Sequence, residues 1–340
     1  MKKRDVKQFV KDFQRPLLLL AVILIMTALR PTMFLKPSNI SSILLAISIY
    51  GLMVCGTIFP LLIGGIDLSI GSICALSGCT TILLTRYFNY STAGAVLGIL
   101  CGLALGALCG FLDGYISCKF AIPAFVVSLA MKNVVLGLAQ RITNKNTISC
   151  MDSKLINFIG TGRVLGLPMP IILFLVLMVI TWFVLNRTVF GRRVYAVGGN
   201  PVAARFTGIN SRRIQILCYT LSGLAAGLTG IVLSCFNSQC IASQGSGYDG
   251  DVLVALVVGG VSMAGGEGSI QGAFFGTLLM GILSNALVLL GVESIYHEVV
   301  TGIVVILAVA VDMYGRTKDN GLKQKHHFLS EKKSEKANNG

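Results

Sequence analysis

Four stretches of the chain carry no charged side chain, and each is long enough to cross a lipid bilayer. They cover residues 42–63, 93–112, 214–233 and 270–292, and a bilayer-spanning helix needs about 20 apolar residues. Charged residues make up 12% of the 340-residue chain, roughly half the share of a soluble domain. The sequence therefore predicts an integral membrane protein and excludes a soluble enzyme or a disordered chain.

Six further apolar segments bring the candidate spans to ten. They cover residues 17–35, 66–84, 121–139, 168–185, 252–264 and 295–313. Arg30-Pro31 interrupts the first, and 252–264 is too short for a straight crossing, which favours a half-helix or a re-entrant piece. We predict an all-α polytopic membrane bundle of about eight to ten transmembrane segments over residues 17–313. A basic segment, 1–16, precedes it, and a solvated, disordered tail, 314–340, follows it.

The distribution of positive charge predicts the orientation. With ten crossings and the N-terminus inside, 20 of the 28 Lys and Arg residues fall in cytoplasmic segments and seven fall outside. Lys and Arg favour cytoplasmic loops. We therefore expect both termini in the cytoplasm, and the net charge of +14 is explained without nucleic acid as a partner.

Glycine recurs at every fourth residue along the segment that starts at 93. The stripe consists of Gly94, Gly98, Gly102, Gly106, Gly110 and Gly114. This spacing places the glycines on one slowly winding face, where a second helix can approach closely. We interpret the stripe as helix packing rather than as a ligand contact.

Two segments are interrupted by a Gly-Gly pair in a similar setting. Residues 63–71 read IGGIDLSIG, and residues 258–266 read VGGVSMAGG. Interrupted segments in corresponding halves of a transporter indicate a central transport site. We predict that pathway or gating residues lie in and near these breaks. They are Asp67, Ser69, Ser262 and Asn285.

Three charged residues near membrane depth allow more than one interpretation. Asp67 is a functional candidate because a carboxylate within a membrane is costly, yet it also suits a helix cap at the membrane edge. Lys132 either snorkels to the interface or faces a polar cavity, and Asp113 is expected to reach water. An ion-coupled secondary transporter of a small polar solute, working through Asp67 or Lys132, is the alternative function.

Motifs of hydrolysis, metal binding and nucleotide binding are missing from the sequence. It contains no HExxH, GxSxG, CxxC or GxxxxGK[ST] pattern, so we expect no catalytic residue, no metal and no cofactor. A membrane enzyme is the weakest alternative, and an ATP-driven role needs a separate subunit. The ten cysteines are expected to be free thiols, although Cys150, Cys235 and Cys240 lie in loops and could pair.

The polar stretch 186–213 contains the signature of a short helix. Asn200-Pro201 predicts an N-cap and first helical position, and Gly208 predicts a left-handed end. Val202, Ala203 and Phe206 share one apolar face. Because so short a helix is marginal in water, it must pack on its own membrane helices or in a groove of a cytoplasmic partner.

Four stretches, taken in order, resemble the permease subunits of bacterial ribose-type ABC importers. They are GGIDLSIGS at 64–72, IPAFVVSLAM at 122–131, FGRRVYAVGGNPVAARFTGIN at 190–210 and GGVSMAGGEGSIQGAFFG at 259–276. The resemblance covers residues 40–313. It departs at Val202, where many such permeases have Glu, and at Asp249-Gly250, where Glu-Leu is usual.

The resemblance implies a multi-pass subunit of the bacterial cytoplasmic membrane that imports a monosaccharide by alternating access. It implies three protein partners: a second permease subunit, a cytoplasmic ABC ATPase that binds the ATP, and an extracytoplasmic solute-binding protein. It also implies that the helix after residue 199 is a coupling helix seated in the ATPase. The residues carried over to that role are Asn200, Pro201, Val202, Ala203, Ala204, Arg205, Phe206 and Gly208.

Overall fold

The computed structural model describes residues 19–293 and the single positions 296, 299, 300, 302, 303 and 306, and this part of the chain is mostly helical. The predicted segment 1–16, the tail 314–340 and most of the predicted last span lie outside the described residues. The all-α membrane bundle expected from the sequence is confirmed.

The helices, in chain order, are α1 (Leu19–Leu29), α2 (Pro31–Phe34), α3 (Pro37–Leu62), α4 (Ile70–Tyr87), α5 (Thr92–Phe120), α6 (Ala124–Thr143), α7 (Lys154–Thr161), α8 (Met169–Arg187), α9 (Val189–Gly199), α10 (Pro201–Phe206), α11 (Ser211–Asn237), α12 (Tyr248–Val258) and α13 (Ile270–Leu289). Four two-residue strands accompany them: β1 (Ile148–Ser149), β2 (Arg163–Val164), β3 (Leu167–Pro168) and β4 (Gln239–Cys240). Strand β1 pairs antiparallel with β4, and β2 pairs antiparallel with β3.

Within the described residues, six helices are long and apolar enough to cross a membrane: α3, α5, α6, α8, α11 and α13. The predicted first span is broken at Arg30-Pro31 as expected, and α1 is a shorter apolar helix. The predicted segment 252–264 forms the 11-residue helix α12 and then leaves helical structure. A short helix followed by an irregular segment fits both alternatives, the half-helix and the re-entrant piece.

Burial divides the bundle into a centre and a periphery. Over the most apolar 18 residues of each helix, 78% of the residues of α3 and 61% of those of α11 are buried. The corresponding shares are 33% for α5, 22% for α6 and 28% for α8. Helix α4 packs against α5, α6 and α11 and is buried along most of its length. Because neighbouring helices shield α4 from lipid, it tolerates small polar residues such as Ser72, Ser77 and Thr81 at membrane depth.

The glycine stripe of α5 lies against two helices. A Cβ on Gly98 or Gly102 would approach backbone oxygens of α4 at 2.6 Å and 2.9 Å. A Cβ on Gly106 would lie 2.6 Å from the carbonyl oxygen of Gly223 in α11. The backbones of α5 and α11 therefore touch, as the packing interpretation predicts.

The bundle has two ends, which we name by the elements found there. The α10 end holds α9 and α10, and the strand end holds the β1–β4 pair, because α11 starts beside α10 and finishes beside β4.

All ten cysteines are free thiols, including the buried Cys150, Cys235 and Cys240 that the sequence left open. Burial raises the pKa of the Cys150 thiol to about 11.

Candidate functional site

The two Gly-Gly interruptions meet inside the bundle. The first break, 63–69, joins α3 to α4, and the second break, 259–269, joins α12 to α13. The N–H of Gly266 donates to the carbonyl oxygen of Leu62 at 2.7 Å, and a Cβ on Gly265 would lie 2.6 Å from the nitrogen of Gly64. Gly64 and Gly265 both have positive φ, at 77° and 83°, which glycine adopts without strain. The breaks therefore form one backbone-to-backbone contact.

A buried polar cluster holds the first break. Asp67 is 3% exposed. Its carboxylate accepts hydrogen bonds from the N–H of Ser69 at 3.0 Å and from the Ser222 hydroxyl at 2.7 Å. The Ser69 hydroxyl oxygen lies 2.7 Å from the same carboxylate. Ser69 also lies 2.8 Å from Asp113. Since Ser222 is near the middle of α11 (Ser211–Asn237), this cluster is at mid-depth in the bundle.

Two sequence expectations need correction here. Asp113 was expected to reach water from a segment end, but it is 1% exposed and hydrogen-bonded to Ser69. The reason is that α5 continues to Phe120, which puts Asp113 inside the helix rather than at its end. Asp67 was expected at the membrane edge, but it is buried at mid-depth, two residues before the N-cap position of α4, which Ser69 occupies. Its carboxylate instead takes the Ser69 N–H and ties the break to α11.

A second group of charges surrounds the start of α12. The chain before it re-enters the bundle along α4, since Cβ atoms on Gly71 and Gly78 would collide with Gly245 and Gln244. Asp249 in the first turn of α12 accepts from Lys132 of α6 at 2.7 Å, and Tyr50 of α3 donates to Asp251 at 3.0 Å. Carboxylates suit this place because a helix N-terminus favours negative charge.

The Lys132–Asp249 ion pair is only partly covered by the described residues. The Lys132 side chain is 32% exposed and that of Asp249 is 12% exposed, and a Cβ on the adjacent Gly250 would meet nothing within 4 Å. The structure shows Lys132 in an ion pair with Asp249, a partner that neither of the two alternatives for Lys132 named.

Helix α10 has the local structure that the sequence predicts. The Asn200 side chain accepts from the N–H groups of Val202 and Ala203, and Pro201 occupies the first turn. Gly208 follows with φ 82°. Ala204 is buried, whereas Val202 is 63% exposed and Phe206 is 88% exposed. The helix thus rests on the bundle through Ala204 and presents its larger apolar side chains outward, beside a hollow of ≈ 900 Å³.

Helix α9 lies between α10 and the second break, and it also contacts the end of α3. The Tyr195 hydroxyl donates to the carbonyl oxygen of Gly268 at 3.0 Å, and burial raises the pKa of this phenol. A Cβ on Gly198 would collide with the carbonyl oxygen of Leu62 and lie 2.5 Å from the nitrogen of Gly266. Helix α9 therefore packs against the last residue of α3 and against the second break.

The structure places three of the four predicted pathway residues in the two breaks. Asp67 and Ser69 lie in the first break, and Ser262 lies in the second, where its hydroxyl accepts from the N–H of Ala264 at 3.1 Å. Asn285 is elsewhere. It exchanges two hydrogen bonds, of 2.9 and 3.1 Å, with Asn39 near the start of α3, far along that helix from the breaks.

Sequence reasoning missed several side chains of the cluster. Ser222 and Ser128 look like ordinary small residues of apolar helices, and only the tertiary structure places them beside the first break. Asp249 and Asp251 did give a signal, because two carboxylates immediately precede an apolar run. Within the described residues, no three His, Cys, Asp or Glu side chains lie close enough to hold a metal ion.

A membrane bundle in which two glycine-broken helices meet beside buried acidic side chains is typical of polytopic membrane permeases. The family described as "Branched-chain amino acid transport system / permease component" matches residues 39–309. The chain belongs to this family.

Curated relatives match most of the chain. It is similar to the ribose import permease protein RbsC of Bacillus subtilis, at 39% identity over 86% of this chain and 90% of that protein. It is similar to RbsC of Escherichia coli, at 36% identity over 90% and 95%. It is also similar to the L-arabinose ABC transporter permease protein AraH of Azospirillum brasilense, at 34% identity over 85% and 84%.

Proposed function

We propose that this chain is the transmembrane permease subunit of an ABC importer that moves a monosaccharide, ribose-like in class, into the cell by alternating access. Relatives named for ribose and for arabinose support a pentose as the solute. In this proposal a separate ATPase binds and hydrolyses ATP, a binding protein delivers the sugar, and a second permease completes the pathway.

The observation that supports the ATPase partner best is the exposed face of α10. Phe206, at 88% exposed, sits on a six-residue helix between arginine-rich flanks. Such a helix gains stability from a groove that covers its apolar face. Because α9 packs on Leu62 at the end of α3 and on Gly266 in the second break, movement of α10 with the ATPase would change the contact between Leu62 and Gly266 and so open or close the path.

The same proposal assigns the α10 end to the cytoplasm. Six arginines occupy the stretch 186–213 at this end, and cytoplasmic loops are rich in Lys and Arg. Both chain termini would then be cytoplasmic, and the strand end would face the binding protein.

The test is Phe206→Asp, measured as co-purification of the ATPase and as ATP-dependent uptake of labelled ribose in proteoliposomes. Loss of a central aromatic contact costs about 2 kcal/mol or more, so we expect ATPase binding to weaken roughly tenfold or more. Val189→Asp is the matched control, because Val189 is an exposed apolar residue of the same loop, 51% exposed, but lies outside α10.

Two outcomes contradict the proposal. If Phe206→Asp keeps full ATPase binding and uptake, α10 is not the docking element. If uptake runs without any ATPase and stops when a proton or sodium gradient is collapsed, the ion-coupled alternative holds instead.

A further inference from the structure

The Ser69 hydroxyl lies between two carboxyl groups. Its oxygen is 2.7 Å from Oδ1 of Asp67 and 2.8 Å from Oδ2 of Asp113. All three side chains are buried, with Ser69 at 0%, Asp113 at 1% and Asp67 at 3% exposed. Distances this short mean that a hydrogen atom lies on each of the two oxygen–oxygen lines.

A serine hydroxyl has only one hydrogen to donate and two lone pairs with which to accept. It therefore satisfies one of the two carboxyl groups as a donor. The other contact needs a hydrogen from the carboxyl side, because two ionised carboxylates would both be acceptors. One proton must therefore reside on Asp67 or on Asp113.

The surrounding donors identify which carboxyl group is ionised. Asp67 receives the N–H of Ser69 on Oδ1 and the Ser222 hydroxyl on Oδ2, as an acceptor-only carboxylate requires. Asp113 contacts Ser69 through Oδ2, and its buried Oδ1 has no hydrogen-bond partner among the described residues. A bare oxygen is far less costly on a neutral acid than on a buried anion.

We propose that Asp113 is a neutral carboxylic acid that positions the first break. Its Oδ2–H donates to the Ser69 oxygen, and the Ser69 hydroxyl donates to Asp67. With this one proton in place, a chain of hydrogen bonds runs from Asp113 of α5 through Ser69 and Asp67 of the first break to Ser222 of α11. The cluster holds one negative charge instead of two, which removes a repulsion that would push the break away from α5.

Infrared spectroscopy of the purified full-length chain in lipid nanodiscs tests the protonation state directly. The spectrum of the parent minus that of Asp113→Asn should contain the C=O band of a protonated carboxyl group. Asp152→Asn, at an exposed loop aspartate, is the control and should give no such band. Absence of the band from the Asp113 difference overturns the proposal.

A second measurement separates the two aspartates by function. In Asp113→Asn the amide N–H replaces the acid O–H as donor to Ser69. We therefore expect an unfolding temperature close to that of the parent and an uptake rate within about twofold of the parent rate. Asp67→Asn removes the acceptor of the cluster and should reduce uptake by roughly tenfold or more. Equal damage from both variants would contradict the assignment.

The infrared result does not depend on transport, so it stands or falls separately from the import function proposed above. Only the uptake comparison rests on that function, and thermal unfolding of the same variants supplies a readout that needs no substrate. If uptake fails in every preparation while the band and the stability order are observed, the proposed function is wrong and the proton assignment is retained.

Discussion

The two breaks share a Gly-Gly pair but are held in different ways. The first, 63–69, is fixed by side chains: Asp67 joins it to α11, and Ser128 of α6 receives the N–H of Leu68 at 3.1 Å. The second, 259–269, is fixed mainly by backbone, with four glycines at positive φ, among them Gly265 and Gly266. A similar sequence pattern therefore has two kinds of vulnerability: lost hydrogen bonds in the first break and added volume at the second.

The largest effect is expected where the second break packs on α9. Gly198→Ala places a methyl group 2.5 Å from the nitrogen of Gly266 in the second break and against the carbonyl oxygen of Leu62 at the end of α3. Because backbone on both sides cannot move aside, we expect a loss of about 2–3 kcal/mol in stability, measured as the unfolding temperature in detergent. Gly199→Ala is the control, since a Cβ there meets nothing within 4 Å. Equal stability of the two variants would contradict the crowding.

The next effect concerns the first break. Ser222→Ala removes one hydroxyl donor from the buried Asp67, and a buried charged acceptor that loses a donor costs about 2 kcal/mol. Thr220→Val is the control, because the Thr220 hydroxyl bonds only to the carbonyl oxygen of Ile216 in its own helix. If Thr220→Val destabilises the protein as much as Ser222→Ala, the first break does not depend on its side-chain acceptors.

A smaller effect is expected at the ion pair before the second break. A double-mutant cycle of Lys132→Met and Asp249→Asn should give a coupling energy of about 1 kcal/mol, because exposures of 32% and 12% place the pair between a surface ion pair and a fully buried one. The double variant should be more stable than Lys132→Met, which leaves Asp249 without its cation. Strictly additive stabilities would show that the pair contributes nothing.

The smallest effect is expected from Tyr195→Phe, which removes one hydrogen bond to Gly268 and keeps the ring. We expect a stability loss of at most about 1 kcal/mol but a larger relative fall in ATP-driven uptake, because the bond joins α9 to the second break. Uptake that falls only in proportion to the amount of folded protein would limit Tyr195 to packing.

The sequence was sufficient for most of the fold. Uncharged apolar runs predicted the long helices, the length of 252–264 predicted a half-helix or a re-entrant piece, and Asn200-Pro201 with Gly208 predicted α10. Each of these features is local, so a continuous stretch of the sequence contains all the residues that determine it. The end of α5 was misjudged because a buried Asp113 interrupts hydropathy in the same way as a residue at a helix end.

The candidate site was predictable only in part. Asp67 and Ser69 stand out in an apolar context, but their partners Ser222 and Ser128 are distant in sequence and chemically unremarkable. Asn285 stood out for the same reason as Asp67, yet its amide pairs with Asn39 away from the breaks. Polarity within a span signals that a partner exists, and only the tertiary fold shows which partner it is.

The contact between the glycine stripe of α5 and Gly223 of α11 has a mechanical consequence. Backbones that touch without intervening side chains have no rotamers to rearrange, so the two helices cannot slide or rotate past one another without opening a gap. We therefore expect α5 and α11 to move as one rigid body, with the hinges of the permease located in the segments of backbone that lie outside this pair.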